Sequence, residues 1–175
     1  KKKALEFANS VFNLLIFFLL ILVCVAEVFM GGVIYIISPG FIENPEKYDL
    51  AVTLSRIAFP FLFFVSLSSF YSAILNTKGR FAVAAAAPII LNLLLITSIF
   101  YAKFFDKELV YFMAWAVTLA GILQLIMLAI YAKKYFTPKI SFNFKISPEV
   151  KHFFKRLLPS IFSSGVMQIN ILVGT

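Results

Sequence analysis

The chain has 175 residues, of which 62% are hydrophobic and only 14% are charged. Soluble domains carry about 45–50% apolar and about 25% charged residues, so this composition excludes an ordinary soluble domain. A formal net charge of +8 would indicate a nucleic-acid partner in a soluble protein. The basic residues lie between long apolar runs, however, and membrane topology explains that placement better.

Five apolar runs predict five transmembrane helices, A to E, in an all-α polytopic bundle. Each run is long enough to cross the roughly 30 Å hydrocarbon layer as a helix. The predicted boundaries are about 7–37 for helix A, 50–75 for helix B, 81–101 for helix C, 109–132 for helix D and 157–175 for helix E. Because the chain starts at Lys1 and its last apolar run reaches Thr175, we expect an internal fragment of a longer protein.

A basic amphipathic linker, residues 138–156, lies between helices D and E. Ser147-Pro148-Glu149 favours a helix start, because a capping hydroxyl precedes a proline and an acid in the first turn. After it, apolar residues recur at helical spacing and basic residues take the other face, as in a helix that lies on a membrane surface. The predicted parts are therefore 1–137 with helices A–D, the linker at 138–156, and helix E at 157–175.

The loop charges predict the orientation in the membrane, because Lys and Arg are retained on the cytoplasmic side. Loops on one side hold Lys47, Lys103 and Lys107. Loops on the other side hold the larger group: Lys1, Lys2, Lys3, Lys78, Arg80, Lys133, Lys134, Lys139, Lys145, Lys151, Lys155 and Arg156. We therefore expect the start of the chain, the turn at 76–80 and the linker to lie in the cytoplasm, and all five helices agree with that orientation.

Two charged residues fall within predicted helices, where charge is expensive and marks function by default. Arg56 lies about two turns inside the outer end of helix B. It either faces a hydrated cavity and meets an anionic head group, or it extends to the outer interface. Glu27 lies in the outer third of helix A, and reaching the outer head groups is its simpler interpretation.

Three uncharged polar residues complete the candidate substrate-cavity set with Arg56. Asn92 follows Pro88 by one turn in helix C, where its amide can also satisfy a backbone group that the proline frees. Gln168 and Asn170 point to different faces of helix E, so at least one of them faces other helices or water. Polar residues of this kind also bridge neighbouring membrane helices, which is the structural alternative for all three.

The sequence contains no pattern typical of an enzyme, metal or cofactor site. Phosphate-binding glycine loops, nucleophile elbows and zinc motifs are missing from it. Cys24 is the single cysteine and His152 the single histidine, which excludes an intrachain disulfide and a Cys/His metal cluster. We therefore expect a protein that is not an enzyme, without a cofactor or a metal.

Five stretches resemble the MurJ (MviN) family of lipid II flippases, in the family's order and with its loop lengths. The junction of helices B and C is the most specific of them. The stretches are SPGF at 38–41, LSRIAFPFLFFVSLSSFYSAILNTKGRF at 54–81, AAAAPIILNLLLI at 84–96, AWAVTLAGILQLIML at 114–128 and LLPSIFSSGVMQINILVGT at 157–175.

The resemblance implies an exporter-type fold with fourteen transmembrane helices in two lobes around a cationic cavity. Helices A–D would then complete most of the N-lobe, as family helices three to six, and helix E would open the C-lobe as helix seven. The implied function is alternating-access transfer of lipid II, the undecaprenyl diphosphate-linked peptidoglycan precursor, across the bacterial inner membrane. The implied partners are lipid II and membrane lipids, with no nucleic acid.

The family's essential arginines lie on helices one, two and eight, outside this sequence, so no family substrate residue transfers to this chain. The alternatives are a polysaccharide-unit or drug/cation exporter of the same superfamily, and a structural membrane subunit. Coupling acids in the first lobe would favour a cation-driven drug exporter. The absence of a hydrated cavity would favour the structural subunit.

Overall fold

The computed structural model describes residues 2–105, 108–141, 148–157 and 159, and every regular element in this part is a helix. The elements are α1 (Lys2–Val28), α2 (Met30–Ile37), a 3₁₀ helix (Pro39–Glu43), α3 (Pro45–Ala58), α4 (Phe61–Asn76), α5 (Phe81–Phe104) and α6 (Leu109–Ala132), followed by α7 at 148–157. The prediction of an all-α fold is confirmed.

Four helical spans are long and apolar enough to cross a membrane: Lys2–Val28, Pro45–Asn76, Phe81–Phe104 and Leu109–Ala132. They correspond to predicted helices A to D, so the chain is a multi-pass membrane protein. Predicted helix E lies almost entirely outside the described residues, and the fifth crossing stays a prediction. The chain divides into two compact units, Leu15–Thr137 and Lys1–Leu14 with Pro138–Thr175.

Predicted helix A is interrupted at one residue, Phe29, which separates α1 from α2. Helical hydrogen bonds continue on both sides of the interruption, from the Phe29 amide to the Val25 carbonyl and from the Val33 amide to the Phe29 carbonyl. Gly31 and Gly32 follow directly, and glycine costs about 1 kcal/mol relative to alanine inside a helix. A single continuous helix over 7–37 was therefore the wrong prediction.

Predicted helix B begins earlier than expected and is also interrupted. It starts at Pro45 because Asn44 caps it: the Asn44 side chain accepts a hydrogen bond from the Lys47 amide at 3.1 Å, and proline occupies the first helical position. The predicted start at residue 50 was wrong because the segment's charges indicated a loop. Near the middle, Phe59 and Pro60 separate α3 from α4, since proline removes a backbone donor.

A neighbouring helix satisfies a backbone group beside this second interruption. The Thr118 hydroxyl of α6 donates a hydrogen bond to the Ile57 carbonyl in the last turn of α3. Broken helices persist in membranes where a nearby hydroxyl replaces the missing backbone partner. Thr118 thus bridges two neighbouring helices, as uncharged polar residues within membrane helices often do.

Helix α6 is the packing centre of the larger unit, because α3, α4 and α5 all contact it. Its buried face carries small residues, among them Ala116, Ala120 and Gly121, which let helix backbones approach closely. A Cβ atom added at Gly121 would lie 2.8 Å from Phe61 Cδ2 and 3.0 Å from Phe64 Cβ. Only glycine fits between α6 and α4 at this contact.

Gly121→Ala is expected to lower the free energy of unfolding by about 1–3 kcal/mol, because the added methyl overpacks the contact with α4. The measurement is the thermal unfolding midpoint of the protein in detergent. Gly32→Ala is the matched control, because nothing lies within 4 Å of a Cβ added at Gly32. Equal midpoints for the two variants would contradict the close α4–α6 contact.

In the smaller unit, α7 confirms the predicted helix of the linker. Val150 is fully buried, and the Phe153 ring meets Phe7 of α1 edge to face with ring centroids 5.8 Å apart. The polar residues of α7 are exposed: Glu149, Lys151, His152, Lys155 and Arg156. The helix is thus amphipathic as predicted, and its position on the inner membrane surface stays a prediction.

Candidate functional site

Arg56 lies in the last turn of α3, immediately before the interruption at Phe59 and Pro60. Its Nε donates a hydrogen bond to the backbone carbonyl of Glu27, near the end of α1, at 3.3 Å. The side chain is exposed, and the remaining N–H donors of the guanidinium lie on its two terminal nitrogens. Those donors form the planar fork that binds a phosphate or a carboxylate through two hydrogen bonds.

The Glu27 side chain lies close enough to Arg56 for the two charges to attract each other. Its Oε1 atom is buried and has no hydrogen-bond partner among the described residues. Opposite charges placed together inside a membrane reduce the cost of burying each. The structure thus brings together the two charged residues that the sequence flagged separately, which sequence spacing alone could not establish.

A second contact holds α3 against α2 and so positions Arg56. The Tyr48 hydroxyl donates a hydrogen bond to the Gly31 carbonyl at 2.8 Å. A Cβ atom added at Gly31 would lie 3.0 Å from the same hydroxyl oxygen, so the close approach depends on glycine. Tyr48 lies about two helical turns before Arg56 on α3, and this anchored segment presents the guanidinium to Glu27.

The other three candidates are not assembled around Arg56 by the described residues. Asn92 is exposed on α5, and its amide makes no hydrogen bond within the described part of the chain. Both α3 and α5 pack against α6, so Arg56 and Asn92 belong to helices of the same unit. Gln168 and Asn170 lie outside the described residues, and their roles stay predictions.

Two asparagines of α1 form a site in the smaller unit that the sequence reasoning missed. Asn9 Nδ2 and Asn13 Nδ2 each donate to the Lys139 carbonyl at 3.0 Å, and the Lys139 amide donates to Asn9 Oδ1 at 2.6 Å. The Ser141 amide donates to Asn13 Oδ1 at 3.4 Å. The four-residue spacing of Asn9 and Asn13 could have indicated this site, because residues four apart share one face of a helix.

These contacts, termed the asparagine clamp (Asn9 and Asn13 on the backbone of Lys139 and Ser141), hold the beginning of the linker. The amide group of Asn9 donates to the carbonyl and accepts from the N–H of one residue, Lys139, as a paired residue of a neighbouring strand would. Asn13 is only 9% exposed, and a buried amide requires such partners. The clamp recognises backbone groups, so it holds the backbone of Lys139 and Ser141 in place whatever their side chains are.

Comparison with known proteins places the chain in one family. The family model described as "Lipid II flippase MurJ" matches residues 1–175. A probable lipid II flippase MurJ of Rhizobium tropici is 35% identical over 98% of this chain and 33% of its own length. The protein of the same description from Rickettsia prowazekii is 34% identical over 99% of this chain and 34% of its own length.

A further relative, the lipid II flippase MurJ of Burkholderia cenocepacia, is 33% identical over 82% of this chain and 28% of its own length. The chain thus spans about a third of the length of the curated relatives that it matches. The family model covers the whole chain, and the apolar helices agree with it. The chain belongs to the lipid II flippase MurJ family.

Proposed function

We propose that the protein transfers lipid II, the lipid-linked peptidoglycan precursor, from the inner to the outer leaflet of the bacterial inner membrane. The observation that carries this proposal is the match of residues 1–175 to the family model of lipid II flippases. The protein then acts as a transporter and not as an enzyme, because the diphosphate linkage of the substrate stays intact during transfer. Its partners are lipid II and the surrounding membrane lipids.

Within this proposal, residues 1–137 form part of the N-lobe, residues 138–156 form the cytoplasmic linker, and residues 157–175 begin the C-lobe. Alternating access requires lobes that rock and helices that bend at defined points. The interruption at Phe59–Pro60 supplies such a point, since helix kinks arise where a proline breaks the regular ladder of hydrogen bonds. Thr118 supports the backbone beside it.

Arg56 is the residue of this chain best equipped to contact the substrate. Lipid II carries a diphosphate, and a guanidinium binds phosphate oxygens through two charge-assisted hydrogen bonds. The Nε bond to the Glu27 carbonyl orients the fork, while the Glu27 carboxylate balances the charge when no substrate is present. Asn92, Gln168 and Asn170 are proposed as further polar residues of the substrate path.

The protein, expressed from its complete gene, is expected to restore growth to a bacterium depleted of its own MurJ, because both would then supply lipid II to the outer leaflet. The measurement is growth under depletion, together with the amount of lipid II that an externally added, membrane-impermeant enzyme can modify. A variant with a stop codon in α5 serves as the negative control. Correct membrane insertion without growth and without accessible lipid II would contradict the proposal.

A further inference from the structure

A cavity of about 310 Å³ opens where α4 turns into α5 and α6 ends. Leu75, Val83 and Ile130 form its apolar wall, and Arg80, Lys134 and Tyr135 form its polar rim. None of the described residues that line it is acidic. An apolar wall beneath a cationic rim is the pattern of a site for an amphipathic anion.

The backbone around the cavity holds the rim in place. Gly79 adopts a left-handed conformation with φ of 71°, which ends α4 and lets the Arg80 amide donate to the Leu75 carbonyl at 3.0 Å. On the other side, the Phe136 ring contacts the rings of Phe70 and Tyr71 of α4, with centroids 5.6 and 6.3 Å away. These contacts attach the end of α6, with Lys134 and Tyr135, beside the α4–α5 turn.

The positive charges around the cavity all act on the Tyr135 phenol. The Arg80 guanidinium beside the Tyr135 phenol stabilises its ionised form and lowers its pKa, and the positive charges of Lys134 and Lys78 act in the same direction, against the smaller opposing effect of desolvation. An anion placed beside the Tyr135 hydroxyl would therefore meet a convergent positive potential. This positive electrostatic potential does not depend on the proposed transport of lipid II.

We propose that this cavity binds the phosphate group of an anionic phospholipid, with Arg80 and Lys134 as its ligands. The occupant is a lipid and not a soluble anion because the polar rim continues into apolar surface: Ile130 is 66% exposed and Tyr131 is 57% exposed beside it. Val83 and Ile130 contact the glycerol and the first carbons of the acyl chains. Basic pockets between membrane helices on the cytoplasmic side bind phospholipid head groups in this way.

The orientation supports the same occupant. The turn at 76–80 and the end of α6 belong to the side that loop charges place in the cytoplasm, where anionic lipids give the membrane surface a negative potential. A phosphate at this depth brings its acyl chains level with the last turns of α6. The lipid then fills the gap between α4, α5 and α6 that protein atoms leave open.

The test compares binding of dioleoyl-phosphatidylglycerol and dioleoyl-phosphatidylcholine to the purified protein by native mass spectrometry. The wild-type protein is expected to retain phosphatidylglycerol preferentially. Arg80→Gln and Lys134→Gln are each expected to weaken its apparent affinity about fivefold, the effect of one basic residue near an anionic lipid surface. Lys133→Gln is the matched control, because it removes the same charge from the exposed neighbouring residue, which does not line the cavity.

Three outcomes would overturn the proposal. Equal losses in Lys133→Gln and Lys134→Gln would indicate diffuse attraction by the loop charges without a built site. Equal retention of the two lipids by the wild-type protein would indicate that the cavity has another occupant. Displacement of phosphatidylglycerol by an excess of inorganic phosphate would indicate a site for soluble anions.

Discussion

Arg56→Ala is expected to prevent the protein from supporting growth in a bacterium depleted of its own flippase, while Arg56→Lys retains part of the function. Alanine removes both the charge and the fork, whereas lysine keeps the charge and loses the two-bond geometry. A hydrogen bond to a charged group contributes about 1.5–3 kcal/mol. The rate of lipid II transfer should therefore fall about tenfold to a hundredfold with alanine, since about 1.4 kcal/mol corresponds to a tenfold change.

The measurement for Arg56 is lipid II transfer at matched protein levels in the membrane, with growth as the second readout. Lys47→Ala is the control, because Lys47 is an exposed basic residue in the first turn of the same helix. Normal transfer by Arg56→Ala would reduce Arg56 to an anchor at the membrane interface.

The double variant Arg56→Ala with Glu27→Gln distinguishes a role of Arg56 in substrate binding from a role in pairing with Glu27. If Arg56 served only to neutralise the Glu27 carboxylate, Glu27→Gln would restore transfer to Arg56→Ala, because no uncompensated charge would remain. If Arg56 contacts the substrate, the double variant stays as defective as Arg56→Ala. The proposed role requires the second result, and recovery in the double variant would assign Arg56 to the pair alone.

The helices were predictable from the sequence because apolar runs have to be as long as the membrane is thick. Predicted helix D, 109–132, coincides with α6, since both of its ends adjoin charged residues. The interruption at Phe29 could not be predicted, because it accompanies the contact of Tyr48 with the Gly31 carbonyl. A proline within an apolar run, such as Pro60, favours an irregular helix, but the hydrogen bond from Thr118 beside it depends on how α6 packs against α3.

Individual residues of the candidate site could be predicted from the sequence, but not which of them lie close together. Arg56 and Glu27 are conspicuous as charges in apolar runs, yet their approach depends on the contact between α2 and α3. The lipid cavity required the fold as well, because Arg80 and Lys134 lie 54 positions apart and the sequence treats both as ordinary loop charges. Tyr135 carried no signal at all, since a tyrosine beside a membrane helix is a common interfacial residue.

Replacing both asparagines of the clamp, Asn9→Ala with Asn13→Ala, is expected to release the start of the linker from α1. The variant loses the hydrogen bonds to the backbone of Lys139 and Ser141, each of which contributes about 0.5–1.5 kcal/mol. Alanine is the best helix former, so α1 itself is preserved. The released segment should therefore open far more often, while the rest of the fold stays intact.

Trypsin measures this release directly, because the clamp holds the peptide groups next to its cleavage point at Lys139. Proteolysis of a transiently open segment follows the population of the open form, so cleavage after Lys139 should accelerate at least about tenfold in the double variant. Cleavage after Lys78, in the exposed α4–α5 turn, is the internal reference and should keep its wild-type rate. Ser10→Ala is the matched control on α1, because its hydroxyl donates within the same helix, to the Glu6 carbonyl at 3.0 Å.

The same variant shows whether the clamp matters for transport. The linker joins the segment that ends at residue 137 to the segment that begins at residue 157, and in the proposed flippase these belong to different lobes. If the clamp couples the proposed lobes, release of the linker should reduce lipid II transfer. Faster cleavage at Lys139 with reduced lipid II transfer would assign the clamp to this coupling, and faster cleavage with unchanged transfer would limit it to holding the linker.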